Sequence, residues 1–226
     1  MREIVLDTET TGLDPAAGHR LVEVACVELM NRLPTGKTFQ CYFNPDRDMP
    51  EEAFRVHGLS REFLSAHPRF AEKAQALLEF VADSPLVIHN AEFDLKFLRA
   101  ELKLCALEGL NDNAVVDTVD LARRKFPGSP VSLDALCRRF TIDLSQRSLH
   151  GALLDCELLA QVYVELTGGR QRGLGFEAAD SGIAVNPAAV ARGPARPARP
   201  FQPTPEETAA FEAFIAGFKT PSLWKN

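Results

Sequence analysis

MREIVLDTETTGL, residues 1–13, reads as a buried β-strand that delivers a carboxylate pair and then breaks. Glu3 to Asp7 is apolar and β-branched and stops before Thr-Gly, the signature of a strand inside a sheet. Asp7 and Glu9 stand two apart, so on a strand both side chains leave the same face. They fall near the strand's carboxyl end, where α/β sheets place their ligands. Gathered carboxylates raise each other's pKa and cost stability. The usual reason to gather them is a pair of divalent cations, which neutralise the cluster and do phosphoryl chemistry.

Outward from this strand, Leu21 to Met30 alternates and Lys37 to Phe43 is strand-like, with Pro34-Thr35-Gly36 expected as the hairpin turn between them. Ala71 to Ala82 carries apolar residues at helical spacing. Leu86 to His89 is a short buried strand, followed by a helix through Phe93, Phe97 and Leu98, and Ala114 to Val116 is a fifth strand. Helical patterns then run through Leu121, Leu136 and Leu154 to Leu166. Strands first and helices alternating later predict an α/β domain with a mixed sheet.

Two later stretches add acids. LVIHNAEFD (86–94) ends in Asp94, which would open a helix after a strand, a favourable place for an anion. LHGALLDCELLA (149–160) holds His150 and Asp155. Five residues apart, they sit about 140° around a helix and do not share a face. The geometry works better with His150 in the loop and Asp155 in the first helical turns. Each piece alone has a plainer reading, as a helix cap or a satisfied histidine; together they form a constellation. His57 and His67 carry the same caution, and His19 is assigned to nothing.

Bulk properties bound the rest. At 226 residues the chain can bury one good core with length left over. No apolar run approaches the roughly 20 residues that cross a bilayer, and the chain enters a strand-like segment at once, so no signal peptide is expected. Five cysteines without a CxxC pair favour reduced thiols in a cytoplasm over disulfides or zinc. The net charge is −6, and residues 1–176 hold 26 acids against 20 bases. Such a body gains little from phosphate neutralisation. Acting on nucleic acid, it would grip a short stretch weakly and rely on metals or a partner for recruitment.

The composition changes after Phe176. Residues 177–203 are rich in Ala, Pro and Arg without hydrophobic period, a semi-extended linker spanning roughly 80 Å at most. Thr204-Pro205-Glu206-Glu207 is a capping box with proline at the first helical position. Phe211, Phe214, Ile215 and Phe218 follow on one stripe, with Leu223 and Trp224 as further anchors. So short a helix cannot bury that stripe itself. It either folds back on the body or docks into another protein, and the linker's length favours a partner.

DTETTGL, HNAEFD and LHGALLD together resemble the three motifs of the DEDD 3′–5′ exonucleases, histidine subclass (DnaQ-like). VHGL at 56–59, VSLDALC at 131–137 and LTGG at 166–169 fit the same family, and the resemblance covers about residues 3–176. It implies a ribonuclease-H-like fold, a five-stranded mixed sheet flanked by helices, with a linker and a C-terminal amphipathic helix appended. It implies two divalent cations, Mg²⁺ or Mn²⁺. Asp7, Glu9 and Asp155 would hold the first, Asp7 would bridge to the second, and Asp94 would act mainly through water. His150 would be the general base, and the product a nucleoside 5′-monophosphate. Thr8, Leu13, His57 and Asn90 occupy positions where the family contacts the terminal nucleotides, with Leu13 wedged against a base.

The resemblance also implies partners: a DNA 3′ terminus, single-stranded or frayed, within a replisome at the bacterial nucleoid. QRGLGF at 171–176 fits QxxLxF, the short motif that binds the beta sliding clamp, with Gln171 hydrogen-bonding and Leu174 and Phe176 filling a pocket. The alternative is that Leu174 and Phe176 pack back on the body. The tail, through the Phe stripe and Trp224, would bind the polymerase's catalytic alpha subunit, and a theta-like small subunit is a further expected partner. The domains are then 1–176, 177–203 and 204–226. Two other functions compete with proofreading: a free-standing enzyme trimming RNA or oligonucleotide 3′ ends, and a non-catalytic scaffold joining polymerase and clamp.

Overall fold

In the computed structural model, residues 1–145, 147, 149–168 and 203–217 are described. The chain divides into two compact units, Met1–Gly175 and Phe176–Asn226. The first carries five strands: β1 (Arg2–Thr10), β2 (Leu21–Met30), β3 (Leu33–Tyr42), β4 (Leu86–Ile88) and β5 (Val115–Asp117). Helices α1 (Glu51–His57), α2 (Arg61–Ser65) and α3 (Phe70–Val81) follow β3, and α4 (Ala91–Leu104) joins β4 to β5. Then come α5 (Thr118–Lys125), α6 (Leu133–Phe140) and α7 (Ala152–Leu166). The sheet order is β3-β2-β1-β4-β5. The first three strands are antiparallel, while β1, β4 and β5 run parallel. This is the expected five-stranded mixed sheet flanked by helices.

Both faces of the sheet are covered. Ile4, Leu6, Val24, Cys26, Leu86 and Ile88 pack on α3 and α4. Val5, Ala25, Val27, Leu29 and Val87 pack under α5, α6 and α7. Side chains alternate along β1, so Asp7 and Glu9 follow Val5 toward the α7 face, and Thr8 follows Leu6 toward α4. The two-sided cover also corrects the reading of β2. Its alternation of apolar and polar residues does not become an alternation of buried and exposed ones, because every residue from Leu21 to Leu29 is buried, Glu23 and Glu28 included.

The hairpin turn differs from the expectation as well. The chain reverses at Asn31-Arg32, both at positive φ (52° and 69°), and Pro34 pairs with Leu29 inside the ladder. Two left-handed residues match the right-handed twist of the flanking strands. Proline is tolerated in β3 because that strand lies at the sheet edge. Gly36, at φ 85°, takes up the register shift in this stretch.

In the second unit the described residues form α8 (Pro205–Ala216). Thr204 is its N-cap, with its hydroxyl accepting from Glu207 N and the Glu207 side chain reaching back, the capping box expected from the sequence. Phe211 and Phe214 are exposed and Ile215 is half-buried. Phe218 and Trp224, and the Gln171, Leu174 and Phe176 motif, lie outside the described residues.

Candidate active site

Three separate stretches of chain converge at the carboxyl ends of β1 and β4. β1 brings Asp7 and Glu9, and the first turn of α4 brings Asp94. The loop before α7 brings His150, and the first turn of α7 brings Asp155. As expected, His150 precedes the helix and Asp155 lies within it. The acids open a cleft of about 560 Å³, which Thr8, Leu13, His57, Phe93 and His89 also line.

Donor atoms of Glu9, His150 and Asp155 all lie within 4.8 Å of one another. Asp94 is buried and accepts from Thr8 Oγ1 at 2.7 Å. The charges are poorly compensated. Burial, reinforced by Asp94 and Glu9, pushes Asp7 well above the usual carboxylate range. Burial and then Glu23, Asp155 and Asp94 push Glu9 to about 8. Burial raises Asp94 to about 7 against the hydrogen bond from Thr8. A carboxylate cluster that holds protons at neutral pH is one that a divalent cation would relieve. Oxygen ligands with one imidazole suit a hard or borderline cation, so the donor set fits the expected metal.

Asp155 is the exception. Burial acts to raise it, but hydrogen bonds from Arg147 and His150 outweigh that and lower its pKa. Arg147 donates from Nε to Asp155 Oδ1 at 2.6 Å and from Nη2 to Asp155 Oδ2 at 2.7 Å. It is also bonded to Asp134 on α6 and lies 2.9 Å from His150 Nδ1.

The VHGL stretch clips the loop that carries His150. His150 N donates to Val56 O at 3.1 Å. Gly58 caps α1 at φ 72°, a conformation that favours glycine, and a Cβ there would meet the tip of the Leu149 side chain at 2.7 Å. His57 is buried, and its Nδ1 accepts from Leu59 N at 3.0 Å, which puts the ring proton on Nε2. Nε2 is buried and makes no hydrogen bond among the described residues.

The structure does not bring every candidate into the cleft. Asn90 is the left-handed N-cap of α4, exposed, with its N–H tied to Asp117, and its side chain is not part of the lining. Leu13 stands at the mouth, 82% exposed. Three residues were missed. Arg147 is the first. Glu23 is buried beside the cluster, where it accepts from Ala152 N at the start of α7 (3.3 Å) and from Gln40 (2.8 Å). An acid embedded at an inward position of an apolar strand was its signal. His19 lines the cleft, stacked where a Cβ on Gly12 would stand 2.3 Å from its ring.

Comparison with known proteins places the chain among nucleases. It matches the exonuclease family RNase_T over residues 4–163. It is 53% identical over 189 residues to the DNA polymerase III subunit epsilon of Rickettsia felis, covering 82% of this chain and 82% of that one. The Escherichia coli K12 protein of the same name is 47% identical over 176 residues, covering 75% and 72%. Among solved structures, exonuclease X in complex with 5′ overhanging duplex DNA superposes with a TM-score of 0.57 at 24% identity, covering 73% of this chain and 90% of that one. The zinc-bound E. coli exonuclease I–single-stranded DNA complex gives 0.65 at 19% identity, covering 75% and 41%. At such identities these two structures speak for the fold alone.

Proposed function

The chain belongs to the RNase_T exonuclease family, and from that premise we propose how its cleft shortens a DNA 3′ end. It is a 3′–5′ exonuclease that proofreads newly synthesised DNA within DNA polymerase III, as the relatives at 47–56% identity indicate. That relationship displaces both the free-standing trimming enzyme and the non-catalytic scaffold. The observation that carries the catalytic reading is the meeting of Asp7, Glu9, Asp94 and Asp155, from distant stretches, around one cleft with His150 at its side.

The enzyme depends on divalent metal, and we assign that role to Mg²⁺ or Mn²⁺. Asp7, Glu9 and Asp155 would hold one ion, Asp7 would reach a second, and Asp94 would act through water. Bound there, two cations stabilise charge on the scissile phosphate and its leaving oxygen. The chain's own residues do the rest. Asp94, fixed by Thr8, keeps the cluster's far wall in place. His150, half-exposed on the loop clipped by Gly58, takes the proton from the attacking water. His57 in the cleft wall contacts the terminal nucleotide, and Leu13 wedges against its base. A mispaired terminus costs less to unpair, which gives selectivity for errors. The product is a nucleoside 5′-monophosphate.

The remaining assignments follow the chain. Residues 1–176 form the exonuclease domain, 177–203 a linker and 204–226 the polymerase-binding segment. Gln171, Leu174 and Phe176 bind the beta sliding clamp. Phe211, Phe214, Ile215, Phe218 and Trp224 bind the DNA polymerase III alpha subunit, and a theta-like subunit completes the assembly in the cytoplasm. No helix among the described residues is long and apolar enough to cross a membrane.

The decisive experiment is digestion of a 3′-mismatched and a matched primer in Mg²⁺ or Mn²⁺ by the wild type, Asp7→Ala and Asp155→Ala. Both variants should lose nucleotide release while circular dichroism shows an intact fold. Wild-type rates in either variant would eliminate the catalytic reading.

A further inference from the structure

Arg147 is a buried cation at the place where a metal is needed. Its side chain is 9% exposed, and each of its three nitrogens has a partner. Nε and one Nη2 hydrogen grip both oxygens of Asp155, at 2.6 and 2.7 Å. Nη1 is paired with Asp134. The second Nη2 hydrogen points at His150 Nδ1, 2.9 Å away. A guanidinium has no lone pair to offer, so His150 Nδ1 must be the acceptor, which leaves the ring proton on Nε2. Yet His150 Nδ1 also lies 3.3 Å from Asp155 Oδ2. In that second pairing Nδ1 carries the proton, and Nε2 becomes the lone pair that a base requires. The two pairings exclude each other, and Arg147 decides between them.

We propose that Arg147 is a positioning residue that latches the metal-free site: its guanidinium occupies Asp155 and holds His150 in the tautomer that cannot act as a base, and divalent metal arms the site by displacing it. The proposal rests on the metal-binding reading above. A guanidinium and a divalent ion compete for the same carboxylate, and their like charges repel within a few ångströms in a partly desolvated site. Asp134 gives the arginine a place to remain when it lets go of Asp155, because it sits on α6 and is not part of the acidic cluster. The latch explains how a metal-free cluster, otherwise rich in uncompensated acids, stays assembled. It also keeps the base idle until an ion is present.

The test uses the full chain and Mn²⁺ as probe, by calorimetric titration of wild type, Arg147→Gln and Arg147→Lys, with thermal melts in EDTA. Arg147→Gln should bind Mn²⁺ about tenfold more tightly than wild type, as expected when a competing unit charge is removed. Its metal-free form should melt lower, and Arg147→Lys should fall between. Equal or weaker binding by Arg147→Gln, with wild type binding normally, would overturn the latch and make the arginine a support for Asp155. Wild type that fails to bind Mn²⁺ would instead sink the metal-binding reading itself. Should Arg147→Gln not fold, ¹⁵N NMR of the wild type decides. Saturating Mg²⁺ should move the Arg147 Nε–H signal and switch the protonated ring nitrogen of His150 from Nε2 to Nδ1, and unmoved signals would overturn the proposal.

Discussion

Asp7, Glu9 and Asp94 show what function costs at the level of single side chains. Their pKa values are raised by burial and by one another, Glu9 to about 8 and Asp94 to about 7. An unfolded chain releases these protons near pH 4, so between about pH 4 and about pH 8 the native state holds more protons than the unfolded one. Stability of the metal-free protein from these groups is therefore greatest at the acid end and falls as pH rises through the folded values. Melting in EDTA should give a lower Tm at about pH 8.5 than at about pH 6, and Glu9→Gln should flatten that slope. A wild-type Tm that rises over this interval would contradict the uncompensated cluster. Divalent metal should reverse the trend, because ions compete with protons for the same oxygens.

At the scale of elements, two helix ends govern two different properties. The C-cap of α1 governs chemistry. Gly58→Ala forces a side chain into φ 72°, and relief of that strain in the α1 C-cap should shift Val56, whose carbonyl holds His150 N. A misplacement of about 1 Å at a catalytic group costs up to about 100-fold in rate. Gly58→Ala should therefore lose at least about tenfold in kcat while calorimetry finds Mn²⁺ affinity little changed. Unaltered kcat would remove the clip from the mechanism. The C-cap of α6 governs only stability. Thr141 is β-branched yet sits at φ 58°, ψ 37°, on the surface and outside the cleft. Glycine is the favoured residue in such a cap. Thr141→Gly should stabilise by about 1 kcal/mol, raising Tm by about 3 °C without changing the rate. A lower Tm would show that the threonine side chain contributes more than its strain costs.

On the scale of the molecule, core and cleft lie, among the described residues, within the first unit. Both hydrophobic clusters draw on residues between Ile4 and Leu166, and the cleft is lined by residues from Asp7 to Asp155. Truncation after Gly168 should leave nuclease activity and Tm within error of the full chain while abolishing co-elution with the DNA polymerase III alpha subunit. Co-elution of the truncated form would move the polymerase contact onto the exonuclease unit. Such a split would suit the charge, since a body with excess acid gains little from phosphate neutralisation and would gain from being held beside the primer terminus.

Much of this architecture is written locally. The apolar run before Asp7, the helical spacing of α3, α4 and α7, and the cap of α8 follow from side-chain period and cap chemistry, which need only neighbours in the chain. That Asp7, Glu9, Asp94, Asp155 and His150 belong at one cleft was readable because their motifs are short and contiguous. What a linear reading misplaced was non-local. The hairpin turn moved to Asn31-Arg32 because strand register, not the presence of Pro and Gly, selects the reversal. The buried Glu23, an acid in an apolar strand, gained its partner only once α7 set its N-terminus against β2. Arg147 took on its role only when α6 and α7 brought Asp134 and Asp155 to opposite sides of one guanidinium. Periodicity fixes which face a residue takes, whereas the electrostatic partner across the gap is chosen by packing between elements distant in the chain.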